Sequence, residues 1–154
     1  MIVREYEGDL FDSHMQTLLN PVNVVGVMGK GLALAFRKRF PQVYTEYLKH
    51  FPKTYERRVH PAKGRRLYVA PMTDHQQCLL FPTKLHWKDP SPLGLVADNL
   101  RLLARDYQQL GIRSLALPLL GCGHGALDWV RHVRPLIYRQ LDPLPIAIEI
   151  VLPL

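Results

Sequence analysis

An apolar run that empties into glycines and then restarts as a helix constrains this chain more than any other feature. Residues 16–22 read as a buried strand, and Asn20-Pro-Val-Asn23-Val-Val-Gly26-Val-Met-Gly29-Lys30-Gly31 leads from it into a helical segment at 30–39. Glycines let backbone N–H groups turn inward, and a helix start adds the positive end of a dipole. Together these cradle a diphosphate. The arrangement returns after an apolar strand at 114–119, as Leu120-Gly121-Cys122-Gly123-His124-Gly125-Ala126-Leu127-Asp128-Trp129. Two such loops without a second nucleotide motif point to one elongated ligand gripped from two sides. Neither loop has the spacing of a phosphate-binding loop or of the dinucleotide fingerprint, and glycines also serve plain turns.

The rest of the chain alternates strands and helices. Strands are expected at 1–7, 66–70, 78–83 and 146–152. Pro41 stops the first helix or opens the next, in which Val43, Tyr47, Leu48 and Phe51 recur at helical spacing. Ser91 and Pro92 are placed as N-cap and first position of a long helix. Leu95, Leu102, Leu103 and Leu110 mark its buried side, and Gly111 caps its end. A last helix is expected at 129–141. The 154 residues, 47% hydrophobic, read as one domain over 1–154, a three-layer α/β fold with loops at the carboxyl ends of strands. Ligands of such folds bind outside those ends.

A net charge of +7 calls for an anionic partner. The excess gathers at 53–66, with Lys53, Arg57, Arg58, Lys63, Arg65 and Arg66 against Glu56 alone. That segment is either a solvated loop or a phosphate-backbone contact, and Tyr55 and Tyr68 beside it belong either to base stacking or to the core. Two cysteines, Cys78 and Cys122, make no disulfide framework and fit a reduced, cytoplasmic setting. No metal spacing, leader peptide or membrane-length apolar run is read, so neither metal, cofactor nor membrane is expected.

These motifs together resemble the macrodomain family, the ADP-ribose-binding α/β/α module built on a central mixed sheet. Gly8-Asp9-Leu10 matches its adenine motif, in which the resemblance has Asp9 accept from the adenine amino group. Asn20-Pro-Val-Asn23 matches a pair of asparagines, the second of which contacts the distal ribose. Gly29, Lys30 and Gly31 fall in the first ADP-ribose loop. Gly121, Cys122, Gly123, His124, Gly125 and Ala126 form the second. Within the family, Pro82-Thr83-Lys84 followed by His86-Trp87 is similar to the lysine-dependent ADP-ribosyl hydrolases, and in particular to the DarG group of antitoxins. The resemblance implies removal of ADP-ribose from thymidine in single-stranded DNA, with a DarT-type toxin as partner through a domain this chain lacks, and a monomer. A relative in the subclass has an aspartate in the second loop where this chain has Gly125, a departure that favours the DarG group.

Residue types allow that chemistry and also blander roles. Lys84 follows an apolar strand, and an apolar, partly cationic setting frees a lysine amine to attack C1″ of a ring-opened ribose. It is otherwise a charge stabiliser or a surface lysine. Asp9 is an adenine acceptor or a turn cap, Asn23 a ribose ligand or a satisfied turn asparagine. Lys30 touches phosphate or simply begins a helix. His86 and Trp87 suit a wall against the modified base, or pack inside. Cys122 is read as small rather than reactive, and Asp128 as a helix cap. Hydrolysis of protein-linked ADP-ribose and binding without turnover remain the alternatives.

Overall fold

Side-chain alternation along the strands decides the layers. The computed structural model describes residues 1–54, 66–122 and 125–154. Its strands are β1 (Ile2–Glu7), β2 (Thr17–Asn23), β3 (Tyr68–Pro71), β4 (Gln77–Lys84), β5 (Ser114–Leu117) and β6 (Ala147–Leu152). Its helices are α1 (Gly31–Arg39), α2 (Pro41–His50), α3 (Leu93–Asp106) and α4 (Arg134–Leu141). Leu18, Cys78, Leu80, Ala116 and Val151 face one core, which Phe36 of α1 and Val43 and Tyr47 of α2 complete. Their strand neighbours Leu19, Leu79, Phe81, Leu115, Leu117 and Ile150 face the other, against Val96, Leu100 and Leu103 of α3 and Ile137 and Leu141 of α4. A sheet buried on both faces between two helical layers is the expected three-layer α/β/α fold. Each fully buried leucine or isoleucine contributes about 1.5–3 kcal/mol.

The strand order is β1-β6-β5-β2-β4-β3. Neighbours are parallel except β3, which runs antiparallel to β4, so the sheet is mixed. Five carboxyl ends therefore share one edge. From β2 the chain moves through α1, α2 and β3 to β4, then returns through α3 to β5 on the other side of β2. Such a reversal leaves a crevice above the strand ends. Register widens it: β2 pairs with β4 from Thr17↔Gln77 to Asn23↔Lys84, but with β5 only at Thr17↔Leu115 and Leu18↔Ala116.

Several local expectations are corrected. Ser91 is not the cap of α3: the N-cap is Pro92, with no side-chain bond, and Ser91 is turned elsewhere. The segment at 129–141 begins with a π-helical turn, Trp129–Val133, before α4. Asp128 caps that turn, its Oδ1 accepting from Arg131 N at 2.9 Å. Pro41 opens α2. Gly111 closes the turn after α3 at φ +70°. Residues 55–65, which hold most of the basic segment and Tyr55, lie outside the described residues. No helix among the described residues is long and apolar enough to cross a membrane.

Candidate functional site

The segments that follow the five parallel strands enclose a cleft of roughly 1040 Å³. Gly8, Asp9 and Leu10 come from the end of β1; Asn23, Gly29, Lys30 and Gly31 from the end of β2; Thr83, Lys84, Trp87, Lys88 and Ser91 from β4. Pro118, Leu119, Gly121, Cys122 and Gly125 follow β5, and Val151 and Pro153 close the far side at β6.

The first glycine loop is organised by its own strand. Asn23 sits at the end of β2, and its Oδ1 accepts from Val25 N at 3.1 Å and from Val27 N at 3.3 Å. Its Nδ2 donates to Val27 O at 2.7 Å. The Tyr47 hydroxyl, fully buried under the loop, donates to Asn23 O at 2.6 Å and lies 2.9 Å from Oδ1. Buried Val24, Val25 and Met28 anchor the loop from within. At Gly26, φ +81°, a Cβ would stand 2.5 Å from the Lys53 Cα, so only glycine permits this close backbone approach. Gly29 differs: a Cβ there would meet only Val27 Cγ1, at 3.5 Å. Its missing side chain leaves room in the cleft rather than room for the protein. Lys30 is the N-cap of α1, extended and without a side-chain cap, and the first turn of the helix, through Gly31, Leu32 and Ala33, lines the cleft.

The second glycine loop leans on another element. Ser91 N donates to Gly125 O at 2.8 Å, and Leu127 N to Gly121 O at 2.8 Å. A Cβ on Gly125 would lie 2.2 Å from Ser91 Oγ and 2.4 Å from Gly121 O. One on Gly121, φ +68°, would lie 2.9 Å from Leu127 Cδ1 and 3.0 Å from Ser91 Cβ. In this loop conformation no side chain fits at 125, in keeping with the glycine found there. Cys122 Sγ donates to Leu120 O at 3.2 Å, and burial, then the charge of Asp128, pushes its pKa up to about 11. A thiol shifted in that direction is a poorer nucleophile than a free cysteine.

Lys84 ends β4 and opens a tight turn. Its Nζ donates to Trp87 O at 3.4 Å. Burial lowers its pKa, the positive charge of Lys30 lowers it further, and Asp89 opposes both. A partly buried lysine that gives up its proton more readily than a surface lysine, lining a cleft, is placed to serve as an amine nucleophile.

Asp9 is the N-cap of a short 3₁₀ turn, Leu10–Asp12, with its Oδ1 accepting from Phe11 N at 2.9 Å. That turn ends at Ser13, whose hydroxyl donates to the buried Glu149 at 2.5 Å. Burial alone would raise the Glu149 pKa, but hydrogen bonds from Ser13, Arg4 and Tyr6 outweigh it and hold the carboxylate below the usual range. A buried, ionised glutamate thus fixes the turn that presents Asp9.

The expected residues separate into groups. The cleft brings together Asp9, Leu10, Asn23, Gly29, Lys30, Gly31, Thr83, Lys84, Trp87, Gly121, Cys122 and Gly125. Asn20 does not join them: it is fully buried mid-strand, facing the core below. His86 is also turned inward, its Nδ1 accepting from Lys88 N at 3.1 Å. Ala126 is an exposed residue at φ +63°, away from the lining. Gly123 and His124 lie outside the described residues. Ser91, Lys88 and Pro118 line the cleft without having been anticipated there. For Ser91 the Ser-Pro dipeptide pointed to a cap and hid its contact with a loop some thirty residues on.

A Macro domain family model matches residues 19–135. The chain is 41% identical over 160 residues to the DNA ADP-ribosyl transferase-DNA ADP-ribosyl glycohydrolase fusion protein of Thermosipho africanus, across 96% of this chain and 41% of that protein. Its structure is similar to the macrodomain of Thermus aquaticus DarG, at 36% identity and TM-score 0.80, covering 96% of each chain. It is likewise similar to Thermosipho africanus DarTG in complex with ADP-ribose, at 40% identity and TM-score 0.80, covering 96% of this chain and 40% of that one. The chain spans about two-fifths of the length of its DNA ADP-ribosyl glycohydrolase relatives from Thermosipho africanus and Thermus aquaticus. It belongs to the macrodomain family, in close similarity to the macrodomains of the DarG group.

Proposed function

We propose that this macrodomain removes ADP-ribose from thymidine in single-stranded DNA, with Lys84 acting on C1″ of the distal ribose. The observation that carries the reading is Lys84 itself: a lysine of lowered pKa in the cleft between the two glycine loops. Similarity to proteins named DNA ADP-ribosyl glycohydrolase supports the linkage. Asp9 receives the adenine amino group, and the backbone N–H groups of the two loops hold the diphosphate. Asn23 spends one Nδ2 hydrogen on Val27 O and has a second to offer the ribose.

In the reaction the bond from C1″ to the thymine nitrogen breaks, the nitrogen regains a proton, and water supplies the hydroxyl that remains on C1″. The products are ADP-ribose and unmodified DNA. With the ribose ring open, the Lys84 amine adds to C1″ and is later displaced by water. In the alternative the Lys84 ammonium stabilises charge as the bond breaks. A DarT-type transferase supplies the substrate, and recognition of that toxin falls to residues beyond the macrodomain.

The test is release of ADP-ribose from thymidine-ADP-ribosylated single-stranded DNA by wild type and Lys84→Ala, after both are shown to bind ADP-ribose. Turnover by wild type and a loss of at least a hundredfold in the variant is expected. Borohydride trapping of a protein–ADP-ribose adduct in wild type alone selects the covalent route. Failure of wild type on DNA, with release from a glutamate-linked protein, overturns the proposed substrate.

A further inference from the structure

The geometry points to the turn after β4 as the surface that reads the DNA strand, with Trp87 stacking on the modified base and Lys88 pairing with a flanking phosphodiester. The inference rests on the function proposed above and names the residues that distinguish DNA from other carriers of ADP-ribose.

Whatever is attached to C1″ must lie beside the group that attacks C1″. Here that neighbour is Trp87, whose carbonyl oxygen is 3.4 Å from Lys84 Nζ. Trp87 lines the cleft and is 41% exposed, the only aromatic among the exposed large hydrophobic residues described. An indole held at a rim rather than in a core presents a flat apolar face to a flat partner. The turn is rigid enough to aim it. His86 is buried and stacks on Trp87 at 5.4 Å and 25°. Its ring accepts from Lys88 N, and its carbonyl accepts from Asp89 N at 3.1 Å. Adjacent residues therefore take opposite roles, His86 as the support and Trp87 as the face.

Lys88 supplies the charge. Its Nζ lies over the Trp87 ring, 5.0 Å from the ring centre, exposed and lining the same cleft, so a stacking base takes that place and moves the flexible ammonium to its own edge. A base stacked on that indole would bring its flanking phosphate within reach of the ammonium. A stacking surface with a cation beside it is how proteins hold single strands without reading sequence. A protein-linked ADP-ribose offers neither an aromatic ring nor a phosphodiester at this place.

The experiment compares three substrates at several salt concentrations: an ADP-ribosylated single-stranded oligonucleotide, ADP-ribosylated thymidine nucleoside, and ADP-ribose carried on a protein glutamate. Trp87→Ala is expected to lower kcat/KM on both thymidine substrates by on the order of tenfold or more, with Trp87→Phe recovering most of it. Lys88→Gln is expected to lower kcat/KM on the oligonucleotide more than on the nucleoside, and to reduce the salt slope on the oligonucleotide by about one. If wild type leaves both thymidine substrates intact, the function reading falls and takes the rim with it. If wild type turns over both and the Trp87 variants match it, the rim alone falls. A Trp87→Ala loss that is equal on the protein substrate, or equal in ADP-ribose affinity, makes Trp87 a structural residue and overturns the inference.

Discussion

The two glycine loops line one cleft, yet different contacts dominate in holding their shapes. The first is organised around one of its own side chains: Asn23, at the end of β2, bonds to the backbone of Val25 and Val27. Buried Val25 and Met28 pin the loop down, and Tyr47, Lys53 and Thr54 close on it from α2 and the segment after it. Among the described residues of the second, only the Cys122 thiol bonds to the loop's own backbone, at Leu120 O. The second loop rests against Ser91, on the far side of β4, through a backbone bond and near-contact of glycine backbone with a serine side chain. Both loops contain a glycine at a close approach, Gly26 in the first and Gly125 in the second, and neither position has room for a side chain; Gly29, open to the cleft, does.

The same substitution placed in each loop tests this contrast most sharply. Gly125→Ala forces a Cβ to within 2.4 Å of a backbone oxygen, which cannot rotate away. Destabilisation of about 1–3 kcal/mol or more is expected by thermal unfolding, together with loss of ADP-ribose binding. Gly29→Ala meets nothing closer than 3.5 Å, so its unfolding midpoint should stay near wild type while ADP-ribose affinity falls. Equal destabilisation of both variants would erase the distinction.

Next in size is Asn23→Ala. It strips partners from Val25 N, Val27 N and Val27 O while the Tyr47 hydroxyl keeps the backbone oxygen of residue 23, and a destabilisation of about 1–3 kcal/mol is expected in denaturant unfolding. Asn23→Asp keeps the acceptor for Val25 N and Val27 N but sets a carboxylate oxygen against Val27 O where Nδ2 donated, so it too is expected to destabilise. If aspartate leaves the unfolding midpoint at the wild-type value, the bond to Val27 O contributes nothing to the loop.

A smaller effect links the first loop to the chemistry. If Lys84 attacks as a neutral amine, kcat/KM rises as pH climbs through its lowered pKa. Lys30→Gln removes a like charge, raises that pKa and moves the rising limb to higher pH; Asp89→Asn moves it to lower pH. A rate that instead falls with rising pH would assign Lys84 the role of a cation. Smallest of all is Ser91→Ala. The Ser91 hydroxyl is buried without a hydrogen-bond partner among the described residues, so its removal should leave stability within about 1 kcal/mol of wild type. A larger loss would show that the hydroxyl, rather than the backbone bond of Ser91, supports the second loop.

Strand and helix positions, the layer order and the place of Lys84 were legible because they rest on local patterns. Period-two runs such as Leu18 and Leu19 assign faces whatever the partner, and a strand ending in Pro82-Thr83-Lys84 carries its lysine to the ligand edge of any parallel sheet. Asn20 and His86 were less legible, since a motif places a residue near a site without saying which way its side chain turns. Asn20 follows Leu19 in the alternation and so faces the core that Leu18 faces, a signal present in the sequence but outweighed by the motif. Ser91 could not be read at all. Its contact with Gly121 and Gly125 joins segments that only the packing of α3 and the path of β5 bring together. The sequence by itself determined where the chain turns, which faces it buries and which chemistry it carries to the edge. Tertiary structure alone decided which glycines are needed for closeness and which for emptiness, because a missing Cβ has no meaning until something stands where it would have been.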